Sequence, residues 1–298
     1  MQPIIDTHQH LWDLDKFHLP WLADVPALRH SYATSDYLAA TAGLGVVKAV
    51  YMEVDVAPEQ QTAEADALIA LSARDDTPTV AAVISGRPAS SDFEAYIRRY
   101  AASPAIVGVR QVLHVPDAAP GLCLTPQYVQ NIQLLGELGL CFDICMRPGE
   151  LGDGAKLAAQ CPDTRFVVDH CGNANPYVVA GGDPLPADNP FAHSREQWMA
   201  DMAALAELPN TICKISGVIA ATRPGWTAED LAPVVNYCLD TFGPTRVVFG
   251  GDWPVCTLGA GSSYAGWVDA LQRIVANRSP QELAALFHDN AAAFYGLS

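Results

Sequence analysis

Basic residues are scarce in this chain: 17 Lys and Arg stand against 33 Asp and Glu over 298 residues, a formal net charge of −16. Such a field repels polyanions, which argues against nucleic acid and anionic membrane surfaces as partners; a small anionic substrate would need cations gathered locally. No apolar run approaches the roughly 20 residues that span a bilayer. The first residues carry Asp6 and His8 rather than the pattern of a secretory leader. The expectation is a soluble, cytoplasmic protein with no membrane or nucleic-acid partner. No CxxC pair occurs among Cys123, Cys141, Cys145, Cys161, Cys171, Cys213, Cys238 and Cys256. Several lie in apolar segments, which points to buried reduced thiols rather than disulfides or a cysteine zinc site. Cys171, next to His170, is set apart by its position. Low-complexity tracts, fixed-period repeats and an evident boundary are all lacking, so residues 1–298 read as one domain.

What is present is apolar matter in strand-length pieces. Half of the residues are hydrophobic, enough for a sizeable core. Val- and Ile-rich runs recur at 4–8, 46–54, 79–85, 106–113, 141–146, 165–170, 211–216 and 246–250. They are nearly continuous in hydrophobicity, as strands of a parallel sheet covered on both faces must be. Helical segments separate them, among them 58–73, 92–103, 126–138, 195–207, 228–242 and 279–287. Thr227 and Ser279 stand at two of the starts as caps. Eight β/α units in this length predict an α/β fold, a (β/α)8 TIM barrel. The connections 12–33 and 171–194 are too long for ordinary turns; in a barrel they would overhang the C-terminal rim as pocket walls or lids.

The chemistry gathers at strand ends. In Ile4-Ile5-Asp6-Thr7-His8-Gln9-His10, period-two alternation puts Asp6, His8 and His10 on one face. An HxH alone is a weak signal among eight histidines, but the end of a first barrel strand is the catalytic face. His170 closes Phe166-Val167-Val168-Asp169-His170, where a satisfied core histidine is the plain alternative. Asp252 follows Phe249-Gly250-Gly251; it can cap a loop, or accept a proton from water beside the imidazoles. Two His and an Asp at one rim can hold a metal, or polarise a carbonyl and activate water.

These segments resemble the amidohydrolase superfamily, and within it the lactonase branch known as amidohydrolase family 2. The resemblance rests on Asp6-Thr7-His8-Gln9-His10-Leu11-Trp12-Asp13, Gly108-Val109-Arg110 with His114, and Val168-Asp169-His170-Cys171-Gly172. It continues through Lys214-Ile215-Ser216-Gly217 and Phe249-Gly250-Gly251-Asp252-Trp253-Pro254-Val255-Cys256. The last run is similar to that of sugar-acid lactonases. The resemblance implies a barrel in which water attacks an ester or lactone carbonyl. Two departures bear on metal: the fourth strand has no Lys to be carbamylated, and the fifth lacks the His of single-metal members. His8, His10, His170 and Asp252 could still hold one divalent ion, zinc above all. A metal-free alternative has the three imidazoles donate to the carbonyl oxygen while Asp252 acts as base.

Around this core stand candidate substrate-binding residues. Arg110 and His114 share a strand face, and a guanidinium suits a planar carboxylate or paired hydroxyls, or else an ion pair at the rim. Glu53, Asp143, Arg147 and Lys214 are charges in or at the ends of apolar strands, fit for a ligand cradle or a structural network. Trp253 could stack on a sugar ring or fill space. The expected function is hydrolysis of the lactone of a small sugar acid or related hydroxy acid. The alternative is a metal-dependent decarboxylase of an aromatic or related carboxylic acid on the same fold. Which lactone is used, and the oligomeric state, are left open.

Overall fold

A computed structural model of the protein describes residues 2–297. Eight strands run in sequence order, each parallel to the next: β1 (Ile4–Gln9), β2 (Val46–Met52), β3 (Thr79–Ser85), β4 (Ile106–Val112), β5 (Cys141–Cys145), β6 (Arg165–Val168), β7 (Thr211–Ile215) and β8 (Val247–Phe249). The seam between β8 and β1 closes just beyond β8, where the Asp252 amide donates to the His8 carbonyl at 2.8 Å and the His10 amide to the Trp253 carbonyl at 2.9 Å. The result is the single-domain (β/α)8 barrel that the β/α alternation predicts.

Because strand side chains alternate, the barrel has two apolar layers. Ile5, Val50, Met52, Val83, Val167 and Val248 fill the inside, joined by Ala291 and Tyr295 of the helix Asn290–Tyr295. Tyr51, Ile84, Val109, Phe142, Phe166, Ile215 and Phe249 face outward under the helices. The helix Pro126–Glu137 buries Tyr128, Ile132 and Leu135 at the three- and four-residue spacing of one helical face. The helix Ala228–Phe242 does the same with Leu231, Val234, Val235, Cys238, Leu239 and Phe242. Its start is fixed by the Thr227 amide donating to the Asp230 carboxylate at 2.8 Å. Ser279 caps its own helix by accepting from the Glu282 amide at 3.3 Å.

Most element ends fall within a few residues of the sequence pattern, and three features depart from it in kind. The segment 279–287 is a helix only over Pro280–Ala284, then widens into a π turn, Ala285–Asp289, in which Leu286 and Phe287 are buried. Strand β6 stops at Val168 because the chain turns left-handed from His170 onward. Third, β1 carries an extra residue against β2: Asp6 pairs with Ala49 but Gln9 with Tyr51. This bulge overturns the expectation that Asp6 shares a face with the two histidines. Asp6 instead accepts hydrogen bonds from the Tyr37 and Tyr264 hydroxyls of the covering helices, at 2.8 and 3.1 Å. It also accepts from the His8 and Gly251 amides at 3.0 and 2.7 Å. It ties the first and last strand ends together.

Another buried carboxyl stands outside the barrel interior. Glu64 accepts from the Val54 amide at 2.9 Å, and burial, followed by repulsion from Glu53, pushes its pKa up to about 8. The folded-state value is raised, so its contribution to stability is full below the unfolded value near 4.5 and is lost as pH rises through 8. Glu64→Gln is therefore expected to stabilise the protein at pH 9 by up to about 5 kcal/mol, at ~1.4 kcal/mol per pKa unit. Near pH 4 it should change little. Denaturant midpoints at the two pH values check this.

Candidate active site

The strand ends converge on one cluster. The Nε2 atoms of His8 and His10 lie 3.7 and 3.5 Å from Asp252 Oδ1. The rings of His8 and His170 are 4.4 Å apart, centroid to centroid, and those of His8 and His10 4.8 Å. Three polar contacts orient the imidazoles. His10 Nδ1 is 2.9 Å from the Met52 carbonyl, which leaves Nε2 with the free lone pair. His8 Nδ1 faces Asp169 Oδ1 at 3.5 Å, and His170 Nδ1 pairs with Ser216 Oγ at 3.0 Å. Burial is the main reason all three imidazoles are held neutral: His8 well below its ordinary value, His10 at about 4, His170 lowered. Asp252 moves the other way, pushed up by burial to about 6 against the pull of His170 and Arg110.

Local backbone conformation aims two of these groups. Asp252 has φ +55°, and His170, Cys171, Gly172 and Asn173 have φ of 53, 52, 68 and 55°, a full left-handed turn. A non-glycine residue there costs about 1–2 kcal/mol, so the turn must be held from outside. Trp198 Nε1 donates to the Cys171 carbonyl at 3.0 Å and Asn173 Nδ2 to the Met146 carbonyl at 2.9 Å. Gly217, itself at φ +73°, passes directly under His170: an added Cβ would sit 2.5 Å from His170 Nδ1. Gly217→Ala is expected to destabilise the fold by more than ~1 kcal/mol. A displaced imidazole should also cost turnover about 10²-fold. Unfolding curves and kcat measured on the same preparation check both.

Beneath the imidazoles lies a floor of paired charges. Arg110 Nε meets Glu53 Oε1 at 2.6 Å, and Arg110 Nη2 donates to the Glu53 carbonyl at 2.7 Å. Arg110 Nη1 is 3.3 Å from His8 Nε2 and 3.5 Å from Asp169 Oδ2. Lys214 Nζ bridges Asp143 and Asp169 at 2.7 and 2.9 Å and lies 3.3 Å from His8 Nδ1. Burial alone would raise Asp169, but Lys214 and His8 outweigh it and hold the carboxylate well below its ordinary range. Asp143, at which burial wins, is pushed up to about 7. Asp169 is the one member of this floor not among the sequence candidates; the signal was its place just before His170 at the end of β6.

Of the remaining candidates, His114 stands at the mouth, its ring 5.1 Å from that of Phe191 in the long connection after β6. Burial and then Arg110 lower it to about 3. Arg147 is not brought into the cluster: its guanidinium donates to the Val115 and Ala118 carbonyls at 2.9 and 2.5 Å and to Glu150 at 2.9 Å. Trp253 is buried among aromatics, 5.2 Å from Tyr32 and 5.6 Å from Tyr37. Tyr32 in turn pairs its backbone with that of Trp12. Both long connections therefore reach the site, one through Tyr32 against the residue after Asp252, the other through Phe191.

The cluster fits a divalent ion on three counts. His8, His10 and Asp252 each offer a ligand atom, all within 4.8 Å of one another. The far nitrogens of both histidines are engaged, by a carbonyl and a carboxylate, the usual support for metal-binding imidazoles. Four carboxylates, Glu53, Asp143, Asp169 and Asp252, face only two permanent cations, Arg110 and Lys214. His170 groups instead with His8 and Asp169.

A buried imidazole–carboxylate cluster at the C-terminal mouth, with the barrel serving to hold it, marks the protein as a (β/α)8 hydrolase. The amidohydrolase family profile matches residues 5–297, and the chain belongs to that family. It is 31% identical over 310 residues to the uncharacterized protein y4mH of Sinorhizobium fredii, covering 98% of each chain. It is 29% identical over 298 residues to the L-fucono-1,5-lactonase of Burkholderia ambifaria, covering 98% of this chain and 94% of the relative. Among solved structures, an amidohydrolase from Burkholderia multivorans with bound zinc superposes with a TM-score of 0.81 at 24% identity, covering 99% and 100% of the two chains. No helix among the described residues is long and apolar enough to cross a membrane.

Proposed function

We propose that the protein opens the lactone of a small sugar acid or related hydroxy acid by attack of water on the ring carbonyl. The observation that carries this reading is Asp252: a buried carboxylate 3.7 and 3.5 Å from two neutral imidazoles, with a third ring, that of His170, 4.4 Å from His8, at the rim where water and a small ring can meet. The full-length kinship with an L-fucono-1,5-lactonase favours a sugar-acid lactone as substrate. Asp252 accepts the proton that the attacking water loses, and passes it to the ring oxygen as the C–O bond breaks and the hydroxy acid forms. His170, free at Nε2, donates to or orients the carbonyl oxygen. His8, His10 and Asp252 are the residues that would hold one divalent ion, zinc by its preference for imidazole and carboxylate donors. Such an ion supplies Lewis-acid polarisation of the carbonyl and eases ionisation of water. Arg110 and the floor below it fix the orientation of His8, and His114 is placed to meet the substrate's outer edge.

The experiment is a screen of aldonolactones, muconolactones and pyrone lactones by acid release, with metal content measured on the same protein before and after chelation. Turnover of an aldonolactone is the expected result, with one divalent ion per chain and activity that falls on chelation and returns with zinc. Release of carbon dioxide from an aromatic acid, with no lactone opened, would replace this reading by the decarboxylase one.

A further inference from the structure

On the outer side of the barrel wall, behind His170, three thiols from three different elements meet. Cys171 comes from the left-handed turn, Cys213 from β7 and Cys238 from the helix Ala228–Phe242. Their Sγ atoms all lie within 4.8 Å of one another, and all three residues are fully buried. We propose that Cys171, Cys213 and Cys238 form a binding site for one thiophilic monovalent cation, copper(I), separate from the imidazole–carboxylate cluster and independent of the function proposed above.

Buried cysteines often serve as small apolar side chains, and Cys238 taken singly would be one. Two observations go further. Cys171 is held at φ +52°, where a residue with a Cβ is disfavoured, although glycine follows it immediately. Packing alone gives no reason to carry a thiol in that conformation; a thiol required at that point in space does. The second observation is the composition of the cluster: the group consists of sulfur alone, with no His, Asp or Glu offered as a further ligand. The Lys214 carbonyl oxygen lies 3.8 Å from Cys171 Sγ and 4.0 Å from Cys213 Sγ.

This donor set selects the ion. Soft thiolates favour copper(I), zinc and iron–sulfur clusters. Structural zinc is almost always four-coordinate, and a fourth ligand is lacking among the described residues. Copper(I) is satisfied by three sulfurs, and a site closed to water suits it. Binding is a ligand exchange without electron transfer: copper enters as copper(I), copper–sulfur bonds form, and the protons of the ionising thiols leave to solvent. Because the ligands come from the turn, the strand and the helix, the ion would brace the left-handed turn that presents His170.

Producing the protein in copper-supplemented cells offers the ion while the chain folds, so that burial does not bar entry. Copper per chain is then measured anaerobically, and the neighbours of the copper are read by X-ray absorption. One sulfur-bound copper per chain is expected for the wild type, over and above any held by nitrogen and oxygen at His8, His10 and Asp252. Cys213→Ala and Cys238→Ala, compared separately, should each lose at least tenfold in copper content. Should either variant fail to fold, the wild-type spectrum alone decides. Copper no higher in the wild type than in folded variants, copper with no sulfur neighbour, or recovery of sulfur-bound zinc in its place would each overturn the proposal.

Discussion

Asp252→Asn is expected to leave the barrel folded while lowering lactone turnover by about 10²–10⁴-fold, the range that a positioned general base contributes. The fold should survive because the hydrogen bond that Asp252 makes to the barrel seam comes from its backbone amide, 2.8 Å from the His8 carbonyl. Asparagine is also among the few residues that accept the left-handed φ of +55° found there. The amide side chain is nearly isosteric but cannot take a proton from water. Metal content separates the two roles the carboxylate can play. Loss of turnover together with loss of the ion makes Asp252 a ligand, whereas lost turnover with the ion retained makes it the base alone. Folded Asp252→Asn with near-normal turnover on the best lactone would remove the central assignment.

The second large effect is expected at Lys214, where the cost falls on stability. Its ammonium lies between two fully buried carboxylates, 2.7 Å from Asp143 and 2.9 Å from Asp169. Lys214→Met keeps the stem and removes the charge, leaving both carboxylates without their main partner. Breaking a buried pair from one side costs about 3–5 kcal/mol, a large part of the stability of an ordinary domain. Among the described residues Asp143 has no other cation on it, so adding Asp143→Asn should recover part of the loss. Asp169 keeps Arg110 Nη1 at 3.5 Å and His8 Nδ1 at 3.5 Å. Chemical denaturation of the single and double variants gives the coupling directly. A Lys214→Met protein as stable as the wild type would mean that the floor of charges is not what holds His8 in place.

The amino-acid order alone carried the architecture, because each strand is an apolar run bounded by helical segments and eight such units in 298 residues fit few arrangements. It also carried the membership of the cluster, since His8, His10, His170 and Asp252 all sit where barrel strands end. The three-dimensional partners were beyond it. Asp6 looked like a third member of the His8–His10 face by period-two counting, and a single extra residue in β1 turned it outward to Tyr37 and Tyr264. A bulge leaves no mark in a hydrophobic pattern, because it depends on how two strands align. Lys214 and Arg110 read equally well as ligand cradle or structural pair, and only their distances to Asp143, Asp169 and Glu53 place them in the floor. Asp169 and Ser216, adjacent to or near named candidates in the chain, gained roles only because β6 and β7 bring them against His8 and His170. The chain order could fix which residues reach the rim, because strand ends are a local property. Tertiary structure decided which charge neutralises which, because that depends on closing the barrel, which brings residues about 45 to 245 positions apart within reach of one another.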